Sequence, residues 1–546
     1  MPIEFDFIIV GAGSAGCVLA DKLSASGKYS VAIVEAGSSD KKFWIQTPIG
    51  YGITYADPSV NWCFTAAPDS ALKNRSLYWP RGKVLGGSSS INALVYHRGQ
   101  MQDYDDWVLA TNTIWNYENA AKIYESFEAR SEPNKAIQSN RDIPEPKNKL
   151  SVFNASADYH NLKHDFQAAF LELNLTSSSR GFFAGEGLGP YWLTTRNGKR
   201  CSSASAFLHP AASRSNLFIL IETRVTQIKL KGKRAVGIEV IHKNKASTLK
   251  ARKEVIVAAG AVNSPQLLQL SGIGASSHLN TVGIKPTVEH PHVGQHLQDH
   301  LGINYFFKSK KPTLNNTLGG WPGRLRSGIQ YIARRRGPLS LSVNQVGGLV
   351  RADPQTPHID TQLYCNPVSY QPANSNARKL TQPDSYPGFI MGFNPCRPTS
   401  EGTIKIRSNN PNDSPEISTN YLSTEHDLNA IVRMAKLIGK IQDTQAIQNI
   451  LSEAPEMDLT NLGADQIIED FRGRASTVYH PCGTCRMGTS IENSVVNPEL
   501  KVHGVAGLRV IDASVFPNIT SANTNAPTIM VAHQGAQKIL DDHKNG

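Results

Sequence analysis

The chain has 546 residues and a formal net charge of +11, and 40% of its residues are hydrophobic and 18% charged. This length is more than one hydrophobic core supports, so we expect two or more domains of a soluble globular protein. No apolar run approaches a membrane span, and the first residues enter a strand pattern at once, which predicts no signal peptide. The seven scattered cysteines indicate a reducing compartment and a cytoplasmic protein.

The positive charge is compatible with an acidic substrate, an anionic membrane or nucleic acid. Its sharpest cluster is Arg334–Arg336, preceded by lysines at 308, 310 and 311. No nucleic-acid motif accompanies these residues, so we predict no nucleic-acid partner. We interpret the charge as a solvated surface and leave peripheral contact with the inner membrane open.

The first element is a predicted buried strand, Phe7–Val10, followed by a G-x-G-x-x-G turn and a stretch with helical apolar spacing. In such a turn Gly11 permits the tight bend, Gly13 lets the backbone approach a pyrophosphate, and Gly16 lets helix and strand pack closely. Phosphates are expected at the helix N-terminus, where free N–H groups favour anions. The predicted contacts in this turn are Gly11, Gly13, Ser14, Ala15 and Gly16.

A second predicted strand, Ser30–Val34, ends at Glu35. An acidic residue at this distance from the turn holds the ribose hydroxyls of a non-phosphorylated dinucleotide. The motif by itself leaves NAD and FAD open, and the alternative is an ordinary βαβ unit without a ligand. Further along, four strands are predicted between Leu217 and Val257, and a helix over Asn263–Leu270 with Pro265 near its first position.

Three later blocks resemble signatures of the glucose–methanol–choline (GMC) oxidoreductases, flavoenzymes that oxidise alcohols. They cover residues 82–92, residues 260–274, and the C-terminal pair 480–484 and 512–525; residues 293–300 are also similar to a family block. The resemblance covers essentially the whole chain and looks closest to the choline dehydrogenase and bacterial alcohol dehydrogenase branch.

The resemblance implies an α/β fold with a discontinuous, Rossmann-like FAD-binding domain. A second, α+β substrate-binding domain is built on an antiparallel sheet. We assign residues 1–155, 196–301 and 464–546 to the first domain and residues 156–195 and 302–463 to the second.

The implied cofactor is FAD. Some family members bond the flavin through a His directly before the Asn of the first signature; here that position is Ile91, so we predict non-covalent FAD. Beyond the glycine turn, the predicted contacts are Glu35, Ala36, Lys83, Leu85, Gly86, Gly87, Ser90, Asn92, Ala93, Val225, Ala259, Gly260, Asp512, Ala513, Asn523, Thr524 and Asn525.

Alcohol oxidation needs a base for the hydroxyl proton, and histidine titrates near neutral pH. In the family the catalytic base lies where this chain has His480, and the position opposite, a His or Asn, is Asn523. Asn523 would orient the substrate oxygen. Cys482 and Cys485 form a C-x-x-C without a second ligand pair, so we expect packing residues and no metal. We interpret Asp299–His300 as structural.

The predicted function is oxidation of a primary alcohol to an aldehyde, with onward oxidation to the acid left open. The hydride would pass to flavin N5. The electron acceptor is a quinone, another carrier or O₂, with a dehydrogenase favoured over an oxidase. We expect a monomer or small homo-oligomer. The alternatives are a family offshoot with lyase or photodecarboxylase chemistry, and a flavin-binding protein without turnover.

Overall fold

Helices and strands alternate along a computed structural model that describes residues 3–131, 148–176, 185–370 and 383–544. The α-helices of this part are α1 Ser14–Ser24, α2 Phe43–Gln46, α3 Tyr51–Thr54, α4 Met101–Thr111, α5 Tyr117–Phe127, α6 Lys163–Glu172, α7 His209–Ala211, α8 Gly260–Leu270, α9 Ser276–Thr281, α10 Leu314–Leu318, α11 Trp321–Arg334, α12 Glu425–Gln442, α13 Gln445–Ile450, α14 Ala464–Arg474 and α15 Asn525–Asp542.

The strands are distributed over two large sheets and several small ones. They are β1 Glu4–Val10, β2 Val31–Val34, β3 Phe64–Thr65, β4 Tyr78–Trp79, β5 Glu128–Ser131, β6 Leu150–Asn154, β7 Gly187–Pro190, β8 Trp192–Leu193, β9 Thr195–Arg196, β10 Lys199–Arg200, β11 Leu217–Leu220, β12 Thr223–Lys231, β13 Arg234–His242, β14 Lys245–Val257, β15 Ile273–Gly274, β16 Val288–Glu289, β17 Leu301–Lys308, β18 Val346–Val350, β19 Thr361–Asn366, β20 Gly388–Pro395, β21 Thr403–Lys405, β22 Glu416–Ser418, β23 Ser476–Thr477 and β24 Leu508–Val510.

The first large sheet has seven strands in the order β11-β2-β1-β14-β13-β12, with β24 paired to β14. Strands β11, β2, β1, β14 and β24 run parallel, whereas β12 and β13 form an antiparallel extension. Strands β2 and β24 and the carboxyl-terminal four residues of β1 and β14 are buried, as expected for a parallel sheet covered by helices. Their carboxyl ends meet at one edge, where sheets of this kind bind ligands.

The second large sheet has six strands in the order β23-β17-β20-β19-β18-β7, and all its pairs are antiparallel. Every residue of β20 is buried, and helix α12 packs against this strand. A separate apolar cluster, which includes Phe389 and Ile438, forms between them. The predicted fold class is therefore confirmed, and the exact domain boundaries stay a prediction.

Helix α8 begins at Gly260, three residues before the expected start. The carboxylate of Asp512 accepts the Gly260 N–H at 2.8 Å and the Ser264 hydroxyl at 2.6 Å, which anchors this earlier start. Pro265 therefore lies inside the helix, where it cannot donate to the carbonyl of Ala261. The hydroxyl of Thr484 donates to that carbonyl at 2.7 Å instead. The expected position of Pro265 is thus wrong, and a side chain replaces its missing hydrogen bond.

Within the described ranges, no helix has the length and apolar character needed to cross a membrane.

Candidate active site

A large cavity of about 980 Å³ connects the carboxyl edge of the parallel sheet with the antiparallel sheet. One end is lined by Gly11 and Glu35, and the other by His480 and Asn523. The two ends of the sequence therefore contribute to one elongated site.

The glycine turn packs closely against neighbouring backbone on one side and faces the cavity on the other. Gly11 has a φ of +99°, and a Cβ there would lie 2.6 Å from the carbonyl oxygen of Ala258. A Cβ on Gly16 would lie 1.9 Å from the Gly11 oxygen, so this residue determines how closely α1 approaches β1. Gly13 caps α1 without a side-chain hydrogen bond. The first N–H groups of the helix are thus left for an anion.

Glu35 lies at the end of β2 and is 6% exposed. Its carboxylate accepts the backbone N–H of Ala12 at 2.9 Å and that of Gly37 at 2.8 Å. Burial raises the pKa of Glu35 to about 7. The hydrogen bonds from the two N–H groups and the charge of Lys83 oppose this shift. A carboxylate held in this way retains lone pairs for hydroxyl donors from the cavity.

Most predicted cofactor residues line the cavity. They are Gly11, Gly13, Ser14, Ala15, Glu35, Ala36, Gly87, Asn92, Ala93, Val225, Ala259, Gly260, Asp512, Ala513, Asn523, Thr524 and Asn525.

Five predicted cofactor residues lie outside this lining: Gly16, Lys83, Leu85, Gly86 and Ser90. Four of them, in the loop 83–90, make contacts on the side of the loop away from the cavity. The N–H of Gly86 donates to the Ala12 oxygen at 2.7 Å, and the Ser90 hydroxyl donates to the Leu85 oxygen at 2.6 Å. The Lys83 ammonium lies 4.9 Å from the centre of the Trp62 ring.

The first residues of α1 and α15 contact each other at the cavity wall, where the Ser14 hydroxyl donates to Asn525 Oδ1 at 2.8 Å. Two helices, α1 and α15, thus begin at the same wall, and Pro527 lies in the first turn of α15. Gly87, in the loop that follows Lys83, packs closely against the glycine turn, since a Cβ on Gly87 would lie 2.7 Å from Gly13 Cα. Bare backbone, two helix N-termini and a buried carboxylate along one elongated cavity fit the phosphates and ribose of a dinucleotide.

At the other end, His480 lies between Asn523 and His300. Its Nε2 is 3.0 Å from Asn523 Nδ2, and its Nδ1 is 2.9 Å from His300 Nδ1. His300 Nε2 is in turn 2.9 Å from the carbonyl oxygen of Cys396. Gln362 Nε2 donates to Asn523 Oδ1 at 3.3 Å, which directs the amide NH₂ of Asn523 towards His480.

These contacts determine the tautomers of both neutral histidines. A carbonyl oxygen only accepts, so His300 Nε2 carries a hydrogen and its Nδ1 is a lone pair. His480 Nδ1 must then donate to that lone pair, which leaves His480 Nε2 unprotonated on the cavity side. The arrangement therefore presents the basic nitrogen of His480 to the cavity.

Both imidazoles favour the neutral form. Burial, then His300, then the charge of Arg81 lower the pKa of His480 well below its ordinary value. Burial lowers the pKa of His300 to about 4, opposed by the Cys396 carbonyl. The pair is thus neutral at physiological pH, and His480 is able to take up a proton.

The backbone brings these residues together through an irregular antiparallel ladder. Leu301 pairs with Thr477, and Gln298 pairs with Cys482. Between these pairs Tyr479 has a left-handed φ of 70°, and the His480 N–H donates to the Asp299 carboxylate at 2.7 Å. Burial raises the pKa of Asp299 to about 6, although hydrogen bonds from Thr477 and Tyr421 oppose the shift.

The interpretation of Asp299–His300 as merely structural is incomplete, because these residues contact the backbone and the ring of His480. The sequence signal that could have indicated this role is their position in block 293–300, which is similar to a family block. Cys482 and Cys485 are buried in the main apolar core.

The fold and the cavity define a dinucleotide-dependent oxidoreductase, with His480 and the buried His300 in contact at one end of the site. Models of the GMC oxidoreductase family match residues 5–302 and 398–532. The chain belongs to the GMC oxidoreductase family. This confirms the predicted family and enzyme class, an FAD-dependent oxidoreductase.

Two curated relatives span nearly the whole chain. Alcohol dehydrogenase [acceptor] of Pseudomonas putida is 38% identical over 98% of this chain and 96% of its own length. Mitochondrial choline dehydrogenase of Homo sapiens is 36% identical over 98% of this chain and 90% of its own.

Solved structures share the fold. Pyridoxine 4-oxidase of Mesorbium loti superimposes with a TM-score of 0.84 at 26% identity, covering 97% of this chain and 98% of that one. Formate oxidase superimposes with a TM-score of 0.89 at 23% identity, covering 100% and 99%.

Proposed function

We propose that this protein oxidises a neutral primary alcohol to an aldehyde, with His480 as the base and Asn523 orienting the substrate oxygen. The observation that carries the proposal is the pair of contacts of His480, Nδ1 with His300 and Nε2 with the Asn523 amide at the cavity, from which we infer that Nε2 is the unprotonated nitrogen. FAD, when bound, supplies the hydride acceptor.

In this proposal the hydroxyl of the alcohol replaces the Asn523 N–H as the partner of His480 Nε2, and its proton moves to that nitrogen. The resulting imidazolium keeps its Nδ1–H bond to His300, so no other proton has to move. The Asn523 NH₂ group, held by Gln362, donates to the oxygen as it becomes negative. Asn523 has no basic site at neutral pH, so proton uptake rests on His480 alone.

The cavity favours a neutral substrate over a quaternary ammonium compound. The carboxylates in its described lining belong to Glu35 and Asp512, and both lie at the parallel sheet. The end near His480 is lined by amides and phenols, among them Asn304, Asn366 and Tyr370. A permanent cation would therefore find no carboxylate in the described lining there, and only the faces of the aromatic rings would offset its desolvation.

The test mixes the FAD-loaded enzyme anaerobically, in the dark, with 3,3-dimethyl-1-butanol or with its cationic isostere choline. We expect the neutral alcohol to bleach the flavin at lower concentration. In His480→Ala the rate constant should fall by about 10²- to 10⁴-fold, and Asn523→Ala, which loses a hydrogen bond to the developing negative charge, should lower it as well. Near wild-type bleaching by His480→Ala would contradict the role of His480 as the base. A preference for choline would contradict the proposal of a neutral substrate. No bleaching by a broad panel of alcohols would favour a protein without turnover or with lyase or photodecarboxylase chemistry.

We also propose that FAD is held without a covalent bond. Ile91, at the position of the family's flavin-bonding His, packs with Ile45, Val60 and Val84 and offers no nucleophile. Acid precipitation should release all flavin into the supernatant. Flavin that remains with the pellet would contradict this.

We propose a dehydrogenase in a reducing, intracellular compartment. Support comes from the Pseudomonas putida relative, named for a generic acceptor, and from seven cysteines that are all free thiols. Electron transfer to a quinone analogue should therefore exceed hydrogen peroxide formation in air-saturated buffer. The opposite ratio would identify an oxidase.

A further inference from the structure

Helix α11 carries its apolar side chains on the face turned to solvent. Spaced three or four residues apart, they form one stripe along the helix. The face that packs inward contributes Ser327 and Tyr331 instead. This apolar stripe consists of Trp321, Leu325, Ile329 and Ile332, which are 75%, 55%, 59% and 66% exposed.

The apolar surface continues around the mouth of the cavity. Phe43, Trp44 and Ile53 of the short helices α2 and α3 are 46%, 39% and 48% exposed. The Phe43 ring lies 6.2 Å from the Tyr331 ring of α11 in an edge-on arrangement. Ile53 and Ile332 both line the cavity. Together with the stripe, these residues form the mouth patch, and exposed apolar patches of this kind mark interaction surfaces.

On the α11 side of the mouth patch the charge is of one sign, whereas on the α2–α3 side Asp57 is paired with Lys42. The sequence contains no Asp or Glu between Asp299 and Asp353. Arg324 and Arg326 lie on opposite sides of the stripe, and Arg334 ends the helix; all are exposed. Two copies of this surface placed face to face would repel each other, which disfavours a self-association interface.

We propose that the mouth patch docks on the surface of an anionic phospholipid bilayer. An apolar face with Trp, Leu and Ile beside arginines is the pattern of helices that lie in the membrane interface. The aliphatic side chains would enter the acyl boundary while the guanidinium groups reach the phosphates. The cavity mouth then opens towards lipid. If the proposed alcohol oxidation holds, an apolar alcohol dissolved in the bilayer reaches His480 directly.

The test is co-sedimentation of the full-length, FAD-loaded protein with vesicles of phosphatidylcholine alone or with 30% phosphatidylglycerol. We expect binding to the anionic vesicles, weak binding to the neutral ones, and release as salt screens the charges. The readout is sedimentation and does not involve turnover, so its outcome is independent of the proposed reaction.

Two double variants test the apolar stripe and the arginines; the first also adds two negative charges, and its control adds one. Leu325→Glu/Ile329→Glu should lower the partition coefficient about tenfold or more, while flavin reduction by a water-soluble alcohol stays unchanged, because neither residue lines the cavity. Arg326→Gln/Arg334→Gln should lower it about fivefold per arginine. The matched control is Leu109→Glu, since Leu109 is 79% exposed on another helix, α4.

Three outcomes would overturn the proposal: wild-type protein that does not sediment with anionic vesicles, equal loss of binding in Leu109→Glu, or a dimer in solution that Leu325→Glu dissociates. The last would identify a second copy of this chain as the occupant.

Discussion

His300 and His480 face each other through their Nδ1 atoms, 2.9 Å apart. Two nitrogens can share only one hydrogen, so this distance alone does not say which ring carries it. The Cys396 carbonyl, which contacts the other nitrogen of His300, supplies that information. That carbonyl assigns the hydrogen between the rings to His480. A backbone group thus determines which nitrogen of His480 carries the lone pair.

Replacing His300 should impair the base without removing it. In His300→Leu nothing accepts from His480 Nδ1, so the tautomer with a protonated Nε2 becomes populated. We expect the rate constant for flavin reduction to fall at least about tenfold, whereas His300→Asn, whose amide oxygen can accept, should retain more activity. The control is His290→Leu, another buried histidine, outside the cavity lining. Equal rates in His300→Leu and His300→Asn would argue against a positioning role.

The pH profile of the wild-type enzyme should reflect the lowered pKa of His480. A base works in its neutral form, so activity is lost as the pH falls through the pKa of that form. Because the pKa of His480 lies well below its ordinary value, flavin reduction at low alcohol concentration should stay constant as the pH falls from 7.5 through 6.5. Stopped-flow measurements giving an apparent pKa at or above 6.5 would contradict this.

Glu35 should control cofactor affinity. Glu35→Gln exchanges an ionised acceptor for a neutral amide, and hydrogen bonds to charged groups contribute about 1.5–3 kcal/mol. We expect the Kd for FAD to rise about 10- to 150-fold, measured by quenching of flavin fluorescence. The wild-type affinity should also weaken as the pH falls through about 7, the pKa to which burial raises this carboxyl. Glu239→Gln, at a surface ion pair on β13, should leave the Kd unchanged.

His533 should make the fold sensitive to acid. Its ring stacks on Phe127 at 4.9 Å, and burial lowers its pKa to about 3. The unfolded chain binds this proton near pH 6.5 and the folded chain does not, so stability is complete above 6.5 and falls as the pH drops from there towards 3. Each pH unit costs up to about 1.4 kcal/mol.

The corresponding experiment compares melting temperatures at pH 7.5 and 5. His533→Leu should lose less stability than wild type between these values, and the exposed control His426→Leu should match wild type. An identical pH dependence in all three proteins would show that His533 stays unprotonated in the unfolded state or charged in the folded one.

The sequence predicts the nucleotide end of the site better than the substrate end. Gly11, Gly16 and Glu35 belong to one strand–turn–helix–strand unit, where local spacing determines the geometry. The contact between His300 and His480 depends on the register of β17 and β23 and on the left-handed Tyr479, which no local pattern encodes. Helix α8 shows the same limit, because its early start depends on Asp512, far away in the sequence.

The pairing of β24 with β14 has a consequence for biosynthesis. The strand Leu508–Val510 covers the edge of the nucleotide-binding sheet, and Asn523 and Asn525 follow it. A nascent chain shorter than this has an unpaired β14 edge and half a cofactor pocket. If these residues hold the flavin as proposed, a nascent chain is expected to bind it only after synthesis has passed Asn525.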